Sequence, residues 1–168
     1  MNIVLFGFMA SGKSTVAKIL SEKLNMQHIE MDDEIEKEAD MSIPEIFNKK
    51  GEKYFRNLEK TLSKKLSGSD NLIISTGGGV VLDEENIKNL GKNGITFSLI
   101  VSPEKVIKRT EKSTHRPLLN TSDKKKQIGK LLQQRKTCYE KADYILDTNN
   151  LSPETVADTI IEKLNRTS

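Results

Sequence analysis

The segment Gly7-Phe8-Met9-Ala10-Ser11-Gly12-Lys13-Ser14 constrains this chain more than any other part of it. It fits the pattern G-x-x-x-x-G-K-[ST], follows the apolar run 2–6 and leads into residues 13–24, whose apolar positions have helical spacing. A strand, a glycine-bearing loop and a helix in that order predict an α/β fold. In such a fold, backbone N–H groups curl around phosphate oxygens at a helix N-terminus, where the partial positive charge adds to the attraction. Lys13 is expected to reach the β- and γ-phosphates of a nucleoside triphosphate, and the Ser14 hydroxyl to ligate Mg2+. Ala10, Ser11, Gly12 and Thr15 complete the expected nucleotide-binding loop. The plain alternative is a glycine turn that happens to carry Lys and Ser; motif and flanks together weigh against it.

The remaining pattern agrees with that start. Short runs rich in β-branched and apolar residues at 27–30, 72–75, 95–101 and 144–147 predict further strands. Helical spacing over 43–66, 84–90, 103–110, 124–141 and 153–164 places helices between and after them. Strands alternating with helices predict a mostly parallel sheet covered on both faces. Ser42 with Glu45 three residues on, and Pro44 in the first turn, form a capping box; Ser102-Pro103 and Ser152-Pro153 each put a cap before a proline. Residues 113–126 are polar, contain Arg116-Pro117 and a lysine run, and read as an exposed loop.

Composition narrows the partners. A chain of 168 residues predicts one domain with a sizeable core. Its 27 basic and 24 acidic residues are interleaved, so no nucleic-acid partner is expected. Cys138 is the single cysteine and reads as a buried or half-buried thiol, which excludes an internal disulfide and points to a reducing, cytoplasmic setting. No apolar run approaches the length that spans a bilayer, so no membrane association is expected.

A phosphate loop alone does not separate kinases from other nucleotide-binding proteins. Beyond it come Glu30-Met31-Asp32-Asp33-Glu34-Ile35-Glu36, Ser42-Ile43-Pro44-Glu45-Ile46-Phe47, and Gly51-Glu52-Lys53-Tyr54-Phe55-Arg56 with Glu59. Thr76-Gly77-Gly78-Gly79, Arg116-Pro117-Leu118-Leu119 and Arg135 with Tyr139 follow. In this order and spacing, across residues 1–153, they resemble the shikimate kinase family. The resemblance implies a three-layer P-loop kinase fold of the nucleoside-monophosphate-kinase type. Its parts would be a five-stranded parallel sheet flanked by helices, a substrate-binding helical region at 32–62 and a lid at 111–124. It also implies transfer of the γ-phosphoryl of ATP to the 3-hydroxyl of shikimate with Mg2+. Separately, the sequence has no obvious apolar interaction stripe, so a monomer is expected.

The same resemblance distributes roles. Asp32 would contact shikimate and serve as the candidate base, at the carboxyl edge of the sheet where ligands of open α/β folds bind. Arg56 and Arg135 would hold the substrate carboxylate, a task for which the guanidinium fork suits better than an ammonium. Gly77, Gly78 and Gly79 would let the ligand lie against bare backbone. Arg116 would close over the phosphates, while Arg109 and Pro153 match positions that sandwich adenine. His28 and His115 receive no catalytic role, and Met9, Met26 and Met31 are expected to pack.

Two departures stand out. Glu30 occupies a position where the family commonly has Asp, which puts a metal-shell role there in question. Ala10 replaces a frequent glycine, a change expected to be tolerated if its φ is negative. The competing readings are a kinase of another small acid or polyol such as gluconate, a nucleoside monophosphate kinase, and a non-catalytic ligand-sensing relative.

Overall fold

The computed structural model describes residues 1–110 and 123–167. Its centre is a parallel five-stranded sheet built from β1 (Asn2–Gly7), β2 (Gln27–Glu30), β3 (Leu72–Ser75), β4 (Gly94–Ile100) and β5 (Tyr144–Asp147). The strands lie in the order β2-β3-β1-β4-β5, with Val4 opposite Ile74 on one side and Thr96 on the other. Every residue of β1 is buried, as a central strand covered on both faces requires.

Alternation along β1 divides the core. Ile3 and Leu5 face α1 (Lys13–Leu24) and α8 (Pro153–Thr167), packing with Val16, Leu20, Ala157 and Ile160. Val4 and Phe6 face the opposite layer, with Met31, Phe55, Leu62 and Leu90. That layer contains α2 (Met31–Ala39), α3 (Ile43–Lys50), α4 (Glu52–Leu66) and α5 (Glu84–Gly91). The adjacent strands β1 and β3 therefore lead into opposite layers. The crevice between their carboxyl ends is the topological switch point, where open α/β sheets bind ligands. The helices α6 (Pro103–Thr110) and α7 (Lys124–Tyr139) complete the fold, and α7 packs on the 3-10 turn Val80–Leu82 that follows β3.

The expected strands and caps form, with two differences in the helices. The helix expected over 43–66 is two, α3 and α4, separated at Gly51. Gly51 has φ 82°, donates to the carbonyls of Ile46 and Phe47, and accepts from Phe55 N–H, so one residue ends the first helix and begins the second. The acidic run after β2 forms α2, which buries only Met31 and Ile35 and so gave little apolar periodicity to read. Ser42 and Glu45 form the reciprocal capping box, and Ser102 and Ser152 accept from the N–H groups of Lys105 and Thr155. Met31 is fully buried, Met9 and Met26 pack against the two cores, and Cys138 is half-buried. Among the described residues, no helix is long and apolar enough to cross a membrane.

Candidate active site

The phosphate loop is the turn from β1 into α1. Gly12, with φ 96°, precedes the first residue of α1 and accepts from Val16 N–H, opening the helix without a side-chain cap. Lys13 is buried, and its Nζ donates to the carbonyls of Gly7 at 2.8 Å and Phe8 at 3.1 Å, so the ammonium lies folded over its own loop. Ser14 and Thr15 are exposed at the start of α1. The condition attached to Ala10 fails, because its φ is 58°. A Cβ in this left-handed region costs on the order of 1–2 kcal/mol. Arg109 donates from Nη1 to the Ala10 carbonyl at 2.8 Å, which ties α6 to this strained residue.

Beside the loop, Ser14, Lys18, His28, Glu30, Asp32 and Asp33 line a cleft of about 460 Å³. Glu30 ends β2 in register with Ser75 at the end of β3. Burial pushes the Glu30 carboxyl up, while the Ser14 and Ser75 hydroxyls and the Lys13 charge pull it down. Glu30 thus faces the same space as Ser14 despite its longer side chain. His28 sits 3.8 Å from Glu30, and burial together with Lys18 holds its imidazole below the ordinary value.

The glycine turn after β3 also makes room for side chains of the protein itself. A Cβ on Gly77 would come 2.7 Å from Asp32 Oδ1 and 3.2 Å from Glu59 Oε1. A Cβ on Gly79 would land inside the Arg56 guanidinium. The bare backbone at 77 and 79 therefore accommodates the protein's own side chains. Arg56 is positioned by two carboxylates on its helix: Nη1 donates to Glu59 at 2.6 Å and Nη2 to Glu52 at 3.1 Å. Glu59 is 1% exposed, and its Oε1 has no hydrogen-bond partner among the described residues. Burial pushes its carboxyl up, with the Asp32 charge adding to the effect and Arg56 and Arg135 opposing it.

From the other side, α7 reaches the same turn. Arg135 Nη1 donates to the Gly78 carbonyl at 3.1 Å, and its guanidinium lies 5.7 Å from the centre of the Phe8 ring in the phosphate loop. Tyr139, one helical turn on, donates from Oη to the same carbonyl at 2.7 Å. A Cβ on Gly78 would be 3.4 Å from Met9 N, so the turn is wedged between the phosphate loop and α7.

The structure thus gathers Lys13, Asp32, Arg56, Gly77, Gly78, Gly79 and Arg135 at one edge of the sheet, with Ser14 beside them. Arg109 lies at the outer side of the loop, and Pro153 opens α8 beyond β5. Arg116, His115 and most of the expected lid lie outside the described residues. Sequence reasoning gave Glu59 and Tyr139 no role, although the spacings Arg56-x-x-Glu59 and Arg135-x-x-x-Tyr139 place each pair on one helix face.

With this geometry in hand, likeness to known proteins is specific. The shikimate kinase family model matches residues 9–165. A shikimate kinase of Thermodesulfovibrio yellowstonii is 44% identical over 167 residues, covering 99% of this chain and 96% of the relative. Among solved structures, the shikimate kinase of Acinetobacter baumannii in complex with shikimate superposes with a TM-score of 0.94 at 32% identity, covering 99% of this chain and 94% of the other. A deoxyadenosine kinase from M. mycoides with bound dATP, at TM-score 0.64 and 18% identity over 98% of this chain and all of its own, shares the fold alone. The family match across nearly the whole chain, on a site that brings two arginines to a glycine turn beside a phosphate loop, makes this protein a member of the shikimate kinase family of ATP-dependent kinases.

Proposed function

We propose that this chain transfers the γ-phosphoryl of ATP to the 3-hydroxyl of shikimate. The observation that carries the reading is the convergence of Arg56 and Arg135, from different helices, on a glycine turn packed against the phosphate loop. Two guanidinium groups at one locus suit a carboxylate, and the adjoining loop suits a triphosphate. In this reading Arg56, Arg135 and the turn's N–H groups bind the carboxylate. Asp32 accepts a hydrogen bond from the attacking hydroxyl, and Glu59 Oε1, buried with one acceptor unused, receives another hydroxyl of the ring. All these residues come from one copy, so a monomer suffices.

The site also suits Mg2+. Ser14, Glu30 and Asp32 present hard oxygen donors on one cleft, and no cluster of three His, Cys, Asp or Glu residues among those described could hold a metal by itself. That combination fits an ion bound mainly through nucleotide phosphates and water, with one or two protein oxygens. When bound, Mg2+ neutralises charge on the β- and γ-phosphates. Lys13 supplies charge from the loop, and Arg116 supplies it from the lid. Arg109 and Pro153 flank the adenine. Phosphoryl transfer is thought to have a loose transition state, so alignment and charge neutralisation count for more than strong deprotonation of the alcohol.

ADP release measured with Mg-ATP and shikimate, gluconate or nucleoside monophosphates in turn separates the readings. Turnover with shikimate alone is expected. Turnover with gluconate or a monophosphate but not shikimate overturns the assignment, and no turnover with any of them favours a sensing relative.

A further inference from the structure

The carbonyl of Gly78 receives two donors from α7, Arg135 and Tyr139, and they differ in freedom. Arg135 is a long, flexible side chain whose guanidinium is assigned above to the substrate carboxylate. Tyr139 is 2% exposed, anchored among core residues, and burial pushes its phenol up to about 12, so it remains a donor throughout the ordinary pH range. The Gly78–Gly79 peptide bond is trans, so the Gly79 N–H points opposite to the Gly78 carbonyl across one rigid plane. That N–H makes no hydrogen bond among the described residues, and its own Cα abuts the Arg56 guanidinium.

We infer that Tyr139 is a positioning residue for the acidic substrate: its hydroxyl holds the Gly78–Gly79 peptide plane so that Gly79 N–H and Arg56 meet the carboxylate together. When Arg135 leaves the Gly78 carbonyl for the substrate, Tyr139 keeps that carbonyl satisfied and the turn in place. Without the hydroxyl, Arg135 would be the one side chain among the described residues left to satisfy this part-buried carbonyl, which would hold its guanidinium back from the ligand. The effect should fall on the acidic substrate, since Lys13 donates to the Gly7 and Phe8 carbonyls of its own loop. The inference rests on the carboxylate reading of Arg56 and Arg135.

Three variants and one structure test it. Tyr139→Phe keeps the ring and removes the hydroxyl. It should raise KM for shikimate by about five- to tenfold, the worth of one such hydrogen bond, while KM for ATP stays within about twofold. Tyr139→Leu should raise KM for shikimate as much and also lower Tm. Wild-type KM in Tyr139→Phe with a raised KM only in Tyr139→Leu means the ring merely packs, and a parallel rise in both substrates' KM means general loosening. Either result overturns the inference. Arg135→Ala distinguishes the two layers: if it leaves KM for shikimate unchanged, the carboxylate reading itself has failed. A wild-type crystal structure with shikimate is independent of any variant's folding. Tyr139 Oη should still bond the Gly78 carbonyl after Arg135 has moved to the ligand, and an Oη that has left the carbonyl refutes the role.

Discussion

The two halves of the site are built on opposite principles. The phosphate loop is local: Lys13 bonds carbonyls five and six residues back, and its geometry is set by backbone between one strand and one helix. The acceptor half is assembled at long range, with Arg135 and Tyr139 bonding a carbonyl 57 and 61 residues away and Asp32 and Arg56 packing onto the same glycine turn. A local device can be recognised from its own letters. A long-range one depends on the fold bringing correct partners together, so single substitutions should damage the two halves in different ways.

The largest expected effect is in the local half. Lys13→Ala should cut turnover by roughly a thousandfold, the scale for losing a principal charge-stabilising group, while shikimate affinity measured by titration without nucleotide stays near wild type. A comparable loss of shikimate affinity would mean that the halves are not separable. Next is Gly79→Ala, whose methyl group must displace Arg56. KM for shikimate should rise by about a hundredfold, the loss of charge-assisted hydrogen bonds, with little change for ATP. An unchanged KM would show that Arg56 does not need its place against the turn.

A smaller effect should come from Ala10→Gly. Relief of a left-handed alanine should stabilise the protein by about 1 kcal/mol, raising Tm by about 2–4 °C. A lower Tm would mean that the bond from Arg109 already compensates and that the glycine frees the unfolded chain more than it relaxes the loop. The smallest concerns His28, whose pKa burial and the Lys18 charge hold below the ordinary imidazole value in the folded state. The folded state then binds fewer protons than the unfolded one. Its stabilising contribution is full above the unfolded value and is lost as pH falls toward the folded one. His28→Gln should therefore show a smaller drop in Tm than wild type between about pH 8 and about pH 5.5. An equal drop would assign the acid sensitivity elsewhere.

The same contrast explains what was legible beforehand. The strands, the Ser42 capping box and the loop could be read because each is specified within a few residues. The break at Gly51 was hidden, since apolar spacing continues on either side of it and only the φ of 82° reveals the turn. Motif order pointed to Asp32, Arg56 and Arg135, but sequence could not say that Asp32 and Arg56 pack against bare backbone at Gly77 and Gly79, because that requires the contact. Glu59 has no role assigned from sequence; its burial at 1% exposure follows from where α4 packs. The sign of φ at Ala10 was likewise set by the turn and not by the residue.

The central claim is that a carboxylate clamp stands opposite the phosphate loop. Comparing kcat/KM for shikimate and its methyl ester on the wild-type enzyme tests it most directly, because the ester keeps every hydroxyl and removes only the charge. Loss of two charge-assisted interactions predicts a fall of at least about a hundredfold for the ester. Equal values for the two compounds would contradict the clamp.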